Sequence, residues 1–296
     1  MAPDAPDFTD FITGTELAGR LGALLERADE LKADRPAAGS ASLAGRSVAL
    51  IFEQPSTRTR VSFEVGIAEL GGTPVILRSD ELQISRGESI GDIGRVMSRY
   101  VQAIAIRSLS HDGVVELAEA ADVPVVNMLT PLHHPCQAIA DLQTLRERFG
   151  RLEGLRVAFV GDGNNVARSL VLLGREAGVD VVVSSPPGFE LDDAPGAELI
   201  GDPHEAVAGA DAVYTDVWFS MGESDAEAKR AALTPYRVDD ELLDLASDDV
   251  VVLHCLPAHP GEEITPEALY GPRSAVFDQA ENRLHAQKAL LEMLLA

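Results

Sequence analysis

At 296 residues the chain is about twice the usual single-domain length of ~150, so two domains with a core each are expected. A composition that is 46% hydrophobic and 24% charged excludes a disordered chain, a collagen and a small disulfide scaffold, and no apolar run approaches the ~18 residues of a membrane span. With 48 acidic against 24 basic residues the net charge is −24, which repels nucleic acid and anionic membranes. The N-terminal MAPDAPDFTD lacks the basic and apolar segments of a secretory signal, so a cytoplasmic protein is expected. Only Cys136 and Cys255 are present, which leaves chemistry or packing to explain them.

In chain order, periodicity predicts a strand at Ser47 to Phe52, a helix at Thr57 to Leu70, a strand at Pro74 to Leu77 and a helix at Gly91 to Tyr100. A strand at Gln102 to Ile106, a helix around Val114 to Ala121 and a strand at Pro124 to Leu129 continue the alternation. Ile139, Leu142, Leu145 and Phe149 then fall at helical spacing, making 136–149 a bridging helix. A second series follows, with strands at Arg156 to Val160, Val179 to Ser184, Ala212 to Val217, Val250 to Cys255 and Ala275 to Phe277. These runs are apolar and β-branched, as parallel strands covered by helices are. The fold expected is therefore α/β, two doubly wound parallel-sheet domains over 1–135 and 150–278 joined by that helix. A C-terminal helix over 279–296 completes it, and Ser185 to Pro195 reads as a surface loop.

Ligands of open α/β sheets bind beyond the carboxyl ends of the strands, and four segments there are chemically unusual. The first, FEQPSTRTRVSFE, leaves a strand and opens a helix with Ser56, Thr57, Arg58, Thr59 and Arg60. Unpaired N–H groups, hydroxyls and guanidinium forks together make an anion site. An ordinary serine cap explains it less well, because arginine in a first helical turn opposes the helix dipole. The second, VGDGNNVARS, lacks the third small residue of a dinucleotide loop, and no lysine follows a glycine as a Walker loop requires. Its Asn165 is placed to bind a carboxylate or to cap the helix. The third and fourth, LTPLHHPCQAIAD and VLHCLPAHPGEEIT, carry His134, Cys136 and Gln137, and His254, Cys255 and His259. Zinc and a cysteine–histidine nucleophile are the alternatives they raise, and their apolar, strand-like settings speak against a structural zinc site.

PSTRTR followed by SFE resembles the phosphate-binding signature of the carbamoyltransferases, and HPCQAIAD resembles their second signature. DVWFSMGE, HCLPAHPGEEIT and FDQAENRLHAQKA resemble the motifs of the ornithine branch, so the likeness runs from Ser47 to the C-terminus. The resemblance implies transfer of a carbamoyl group from carbamoyl phosphate to the δ-amine of ornithine, in arginine metabolism, with no metal or organic cofactor. Ser56, Thr57, Arg58 and Thr59 are expected to clamp the phosphate, Arg107 to bridge phosphate and carbonyl oxygen, and Thr59, Arg107 and His134 to stabilise the oxyanion. Gln137 and the carbonyl of Leu256 are expected on the carbamoyl amide, Arg283 on a carbamoyl phosphate oxygen, and Gln83 on the phosphate of a neighbouring subunit. For ornithine, Asn165 is expected on the α-carboxylate, Asp216 with Ser220 and Met221 on the α-ammonium, and Cys255 beside the δ-amine and the carbamoyl group. The implied assembly is a homotrimer or a multiple of trimers. A carbamoyltransferase for putrescine or acetylornithine, or a silent binding protein with this fold, are the alternatives. Twice as many acids as bases, with three lysines against 21 arginines, further suggests a halophile's surface.

Overall fold

The computed structural model describes residues 9–35, 41–78, 87–192, 196–219 and 226–295. The chain divides into two units, Met1–Ile139 with Asn282–Ala296, and Ala140–Glu281.

In the first unit the elements run α1 (Leu21–Ala33), β1 (Ser47–Phe52), α2 (Thr57–Glu69), β2 (Thr73–Arg78), α3 (Ile90–Met97), β3 (Ala103–Arg107), α4 (His111–Ala120) and β4 (Val125–Leu129). All strand pairs are parallel, in the order β2-β1-β3-β4. The inner strands are buried on both faces because they are runs such as VALIF and AIAI, and helices on each side leave no position for a polar residue. The edge strand β2 is partly exposed and holds Pro74, which an edge tolerates because one side needs no ladder donor. Ile51, Ile93, Ile104, Ile106, Val114, Leu117 and Val125 form one core of this unit.

Helix α5 (Pro135–Phe149) carries the chain into the second unit. There follow β5 (Arg156–Val160), α6 (Asn165–Glu176), β6 (Asp180–Ser184), β7 (Glu198–Leu199), α7 (Pro203–Val207), β8 (Ala212–Thr215), α8 (Ala226–Leu233), α9 (Asp240–Leu243), β9 (Val251–His254), α10 (Pro266–Tyr270) and α11 (Val276–Leu295). The sheet is again parallel, ordered β7-β6-β5-β8-β9. Val213, Tyr236, Val238, Leu242, Val252 and Ile264 pack in its core. The last helix returns to the first unit from Asn282 onward, where Lys288 Nζ reaches Glu69 Oε2 at 2.8 Å and Arg27 Nε reaches Glu292 Oε2 at 2.6 Å.

Three local expectations change. Ala275 to Phe277 is no strand: Ser274 makes a single bridge to Val252 and α11 begins at Val276, its helical periodicity overriding three strand-prone residues. Helix α1, unread in the sequence, buries Leu21, Leu24, Leu25, Ala28 and Leu31. The expected surface loop after β6 folds inward in part, with Ser185 and Leu191 buried.

Candidate functional site

Each sheet has one place where the strand order reverses. In the first it lies between β1 and β3, and in the second between β5 and β8. The loops leaving those pairs diverge to opposite sides and open a crevice at the strand ends, where ligands of such folds bind. Ser56 to Thr59 and Arg107 fall at the first point and Asn165 and Asp216 at the second, while His134 and Gln137 follow β4, Cys255 and Leu256 follow β9, and Arg283 lies on α11.

In the first unit, Ser56 is the N-cap of α2, yet its side chain makes no capping hydrogen bond, and the first turn contains no acidic residue. The caps Ser89, Ser110, Asn164, Asp202, Asp239 and Thr265 all accept a backbone N–H. The start of α2 thus keeps its donors and dipole for something other than Ser56 itself. Of the two arginines on this turn, Arg60 pairs with Glu64 on the surface at 3.4 Å. Thr59 is fully buried and accepts from Arg283 Nη2 at 2.9 Å. Arg107 ends β3 opposite Phe52 at the end of β1. Glu53, which sequence reasoning passed over, staples these strand ends: its N–H donates to Arg107 O at 3.0 Å, and its carboxylate accepts from Ser108 Oγ at 2.9 Å and Leu109 N at 2.8 Å.

His134 and Gln137 stand at the start of α5, 4% and 1% exposed, and Gln137 N donates to the carbonyl of His134 at 3.0 Å. Burial first, then the guanidiniums of Arg283, Arg107 and Arg58, hold the His134 imidazole well below its usual value. It is therefore neutral near pH 7 and keeps one N–H to donate. Three guanidinium charges act on one buried imidazole in a chain of net charge −24, an electrostatic setting suited to an anion. Cys136 next to it is fully buried, gives its S–H to Asn127 O at 3.4 Å, and is pushed up to about 12 by burial.

In the second unit the β5–α6 turn and the ends of β8 and β9 meet. Asn164, not Asn165, caps α6, accepting from Val166 N at 2.9 Å and Ala167 N at 3.2 Å. Its Nδ2 donates to Asp216 Oδ2 at 2.8 Å, and Cys255 Sγ donates to Asp216 Oδ1 at 2.8 Å. Asn165 is the first residue of α6, so its side chain leaves the same turn. Asp216 is 7% exposed, and its charge, with Asp141 and Cys255, adds to burial in raising the Tyr214 phenol well above its ordinary value.

Gly163 shows what the two glycines of this turn are for. A Cβ there would stand 2.3 Å from Leu191 N, and its own N–H donates to Phe189 O at 2.8 Å. The backbone at Gly163 is covered by this chain's own 189–191 segment, which leaves no open approach there for a pyrophosphate.

Cys255 and Leu256 follow β9. Leu256 has φ 59°, a left-handed conformation that costs a β- or γ-branched residue about 1–2 kcal/mol, and it precedes a cis peptide to Pro257. Its N–H donates to His254 Nδ1 at 2.9 Å, while His254 Nε2 lies 3.2 Å from Glu263 Oε1, with both side chains fully buried. The accepting Nδ1 assigns the proton to Nε2, so Glu263 orients His254 and His254 holds the strained turn. Donor atoms of Asp216, His254 and Cys255 lie within 4.8 Å of one another, but both His254 nitrogens are already engaged, which disfavours this trio as a metal site. Gln83, Ser220 and Met221 lie outside the described residues.

Two family comparisons divide the chain in the same order. Residues 10–147 match the carbamoyl-P binding domain of the aspartate/ornithine carbamoyltransferases, and residues 153–294 match their Asp/Orn binding domain. The ornithine carbamoyltransferase of Acidothermus cellulolyticus is 54% identical over 301 aligned positions, covering 97% of this chain and 95% of the relative. That of Methanothermobacter thermautotrophicus is 50% identical over 286, covering 92% and 94%. Among solved structures, ornithine carbamoyltransferase from Pyrococcus furiosus superposes with a TM-score of 0.92 at 45% identity, covering 98% of this chain and 97% of that one. With both halves matched in full and relatives above half identity, the chain belongs to the aspartate/ornithine carbamoyltransferase family.

Proposed function

We propose that this protein transfers the carbamoyl group of carbamoyl phosphate to the δ-amine of L-ornithine, giving L-citrulline and phosphate. The observation that carries the reading is the α2 start, whose cap serine makes no capping hydrogen bond and whose Thr59 accepts from Arg283, with Arg107 at the adjoining strand end and the charges of Arg58, Arg107 and Arg283 acting on the buried, neutral His134. An anion with a carbonyl group attached suits this set: a phosphate for Ser56, Thr57, Arg58 and Thr59, and a carbonyl oxygen for Thr59, Arg107 and His134. As the neutral amine attacks the carbonyl carbon, charge builds on that oxygen, and preorganised donors stabilise it most when water is excluded. Gln137 and the Leu256 carbonyl then fix the carbamoyl amide, and Arg283 contacts a carbamoyl phosphate oxygen. The bond to the phosphate oxygen breaks as the attacking nitrogen gives up a proton to the leaving phosphate, and the helix start retains the resulting hydrogen phosphate dianion.

Ornithine is read at the second unit's turn, with its α-carboxylate at Asn165, its α-ammonium at Asp216 and its δ-amine beside Cys255. Support comes from the Asn164–Asp216–Cys255 chain of hydrogen bonds, which fixes a carboxylate where a cationic amine is to be oriented. Putrescine lacks the carboxylate that Asn165 would serve, which favours ornithine. The carbamoyl-phosphate domain is taken as 1–135 and the ornithine domain as 150–278, flanked by the bridging and C-terminal helices. A trimeric assembly, a cytoplasmic location, a role in arginine metabolism and adaptation to high salt complete the proposal. No helix among the described residues is long and apolar enough to cross a membrane. The test is citrulline formation by the purified protein from the two substrates; turnover of putrescine in preference to ornithine would overturn the substrate assignment.

A further inference from the structure

Lys229 is one of only three lysines in the chain, and it is 8% exposed. From α8 its Nζ donates to Asp162 Oδ2 at 2.8 Å, and the ammonium lies 5.5 Å from the centre of the Phe189 ring. Asp162 belongs to the β5–α6 turn, whose next residue, Gly163, is pressed against the 189–191 backbone. Asp162 O accepts from Asn164 N at 2.8 Å, so the ion pair, the glycine contact and the Asn164 cap hold a single turn. That turn also presents Asn165. An aspartate three residues ahead of an expected carboxylate-binding residue is electrostatically the wrong sign, unless a cation neutralises it.

We propose that Lys229 is a positioning and specificity residue for the amino-acid substrate: by neutralising Asp162 on the β5–α6 turn, it lets the site accept an α-carboxylate at Asn165. The inference rests on the placement of ornithine proposed above. The side chain of Lys229 contacts Asp162 and the Phe189 ring, so its assigned role is positioning rather than catalytic. It acts through Asp162, and its removal takes away the ammonium paired with a largely buried carboxylate.

The decisive feature is that charge and packing predict opposite signs for the two partners. Lys229→Met keeps the stem over Phe189 but removes the positive charge paired with Asp162. It should raise the ornithine KM, and the inhibition constant of norvaline, which shares the carboxylate but lacks the δ-amine, by roughly 10-fold or more, leaving the carbamoyl phosphate KM near its original value. Asp162→Asn removes the repelling charge and should leave both ornithine constants unchanged or lower. The double variant should recover most of what Lys229→Met loses, and Lys229→Arg should keep the pair. If Asp162→Asn raises the ornithine KM as Lys229→Met does, or the double variant is as poor as Lys229→Met, the pair is packing alone and the proposal is overturned. Asp162→Asn and Lys229→Arg decide the matter even if Lys229→Met fails to fold. Asn165→Ala separates the two layers: an unchanged ornithine KM there removes the substrate placement and this inference together. A raised KM there, with Lys229→Met silent, removes this inference only.

Discussion

Cys255 Sγ donates to Asp216 Oδ1 at 2.8 Å, and the opposite oxygen of the same carboxylate accepts from Asn164 at the same distance. A carboxylate clamped from both sides has one orientation, and each donor is a charge-assisted partner worth about 1.5–3 kcal/mol. Cys255→Ala should therefore lower kcat and raise the ornithine KM, by roughly 10- to 100-fold in kcat/KM, with the carbamoyl phosphate KM nearly kept. Cys255→Ser should recover part of the loss, because a hydroxyl can donate to Asp216 as the thiol does. Trapping a carbamoyl-thioester on Cys255 in rapid-quench samples would contradict an orienting role and favour a covalent one.

Arg58 stands on the first turn of α2, where nothing acidic offsets it, and its guanidinium acts on His134. Arg58→Ala should cost roughly 100-fold or more in kcat/KM, since a charge-assisted donor to the transition state is lost. Lysine at this position should restore only part, because a point charge cannot form the bidentate fork. Kinetics of the alanine variant within a few-fold of the parent enzyme would remove the phosphate site from this helix start.

Much of this was legible in the sequence, for identifiable reasons. Strands Ser47–Phe52 and Arg156–Val160 are found to the residue because apolar β-branched runs between turn residues have no helical alternative. The same rule misassigned Ala275 to Phe277, where three local residues say strand and the twenty-residue helical pattern Val276–Leu295, which includes two of them, says helix. The choice between Asn164 and Asn165 as cap depends on backbone angles that two adjacent asparagines do not reveal. The residue directly before the first apolar position, Asn165, is already the first helical residue, and the cap is the asparagine before it. Helix α1 carried a readable signal, Leu21, Leu24, Leu25, Ala28 and Leu31 at helical spacing. No pattern could have paired Lys229 with Asp162, 67 positions away, since a contact at that separation is set by the sheet order rather than by spacing.

The two cysteines should differ sharply toward an alkylating reagent. The thiolate is the reactive form, and Cys136, fully buried with its pKa pushed up to about 12, has almost none near neutral pH. Cys255 is only half-buried. Iodoacetamide on the native protein should modify Cys255 alone, more slowly when norvaline occupies the ornithine site, and Cys136 only after denaturation. Peptide mapping that finds Cys136 modified in the native state would contradict its burial.

Acid should weaken the fold in a defined window. His285 is buried, and its pKa is lowered to about 4 by burial first and then by Lys288, Lys32 and Arg35; that of His134 is lowered as well. Between about 4 and the unfolded value of 6.5 the unfolded chain holds more protons than the native one, so native stability falls as pH drops through that range and is unaffected by His285 above it. The melting temperature should decline from about pH 6.5 downward, and His285→Gln should flatten part of that slope. Equal slopes for the two proteins would show that His285 is not held neutral.

The surface charge makes the last prediction. All three lysines are engaged internally: Lys32 Nζ with Asn282 Oδ1 at 2.7 Å, Lys229 with Asp162 at 2.8 Å, and the fully buried Lys288 with Glu69 at 2.8 Å. None remains to dilute a surface that carries most of 48 carboxylates, and the basic side chains left outside are arginines. A bias toward G and C in the genome would exchange lysine for arginine, yet it gives no reason for twice as many acids as bases. Such a surface repels itself in dilute buffer, whereas at ~1 M salt the Debye length is about 3 Å and the repulsion is screened. Carboxylates also keep hydrated ions close, and the absence of lysine stems leaves little apolar surface to be salted out. Activity and the proposed trimer should therefore survive molar potassium chloride and decline as salt is withdrawn, reversibly at short times. Citrulline production and sedimentation across a salt series measure both; an intact oligomer with full activity after prolonged dialysis into dilute buffer would refute the salt adaptation while leaving the assignment of the two substrate sites as it stands.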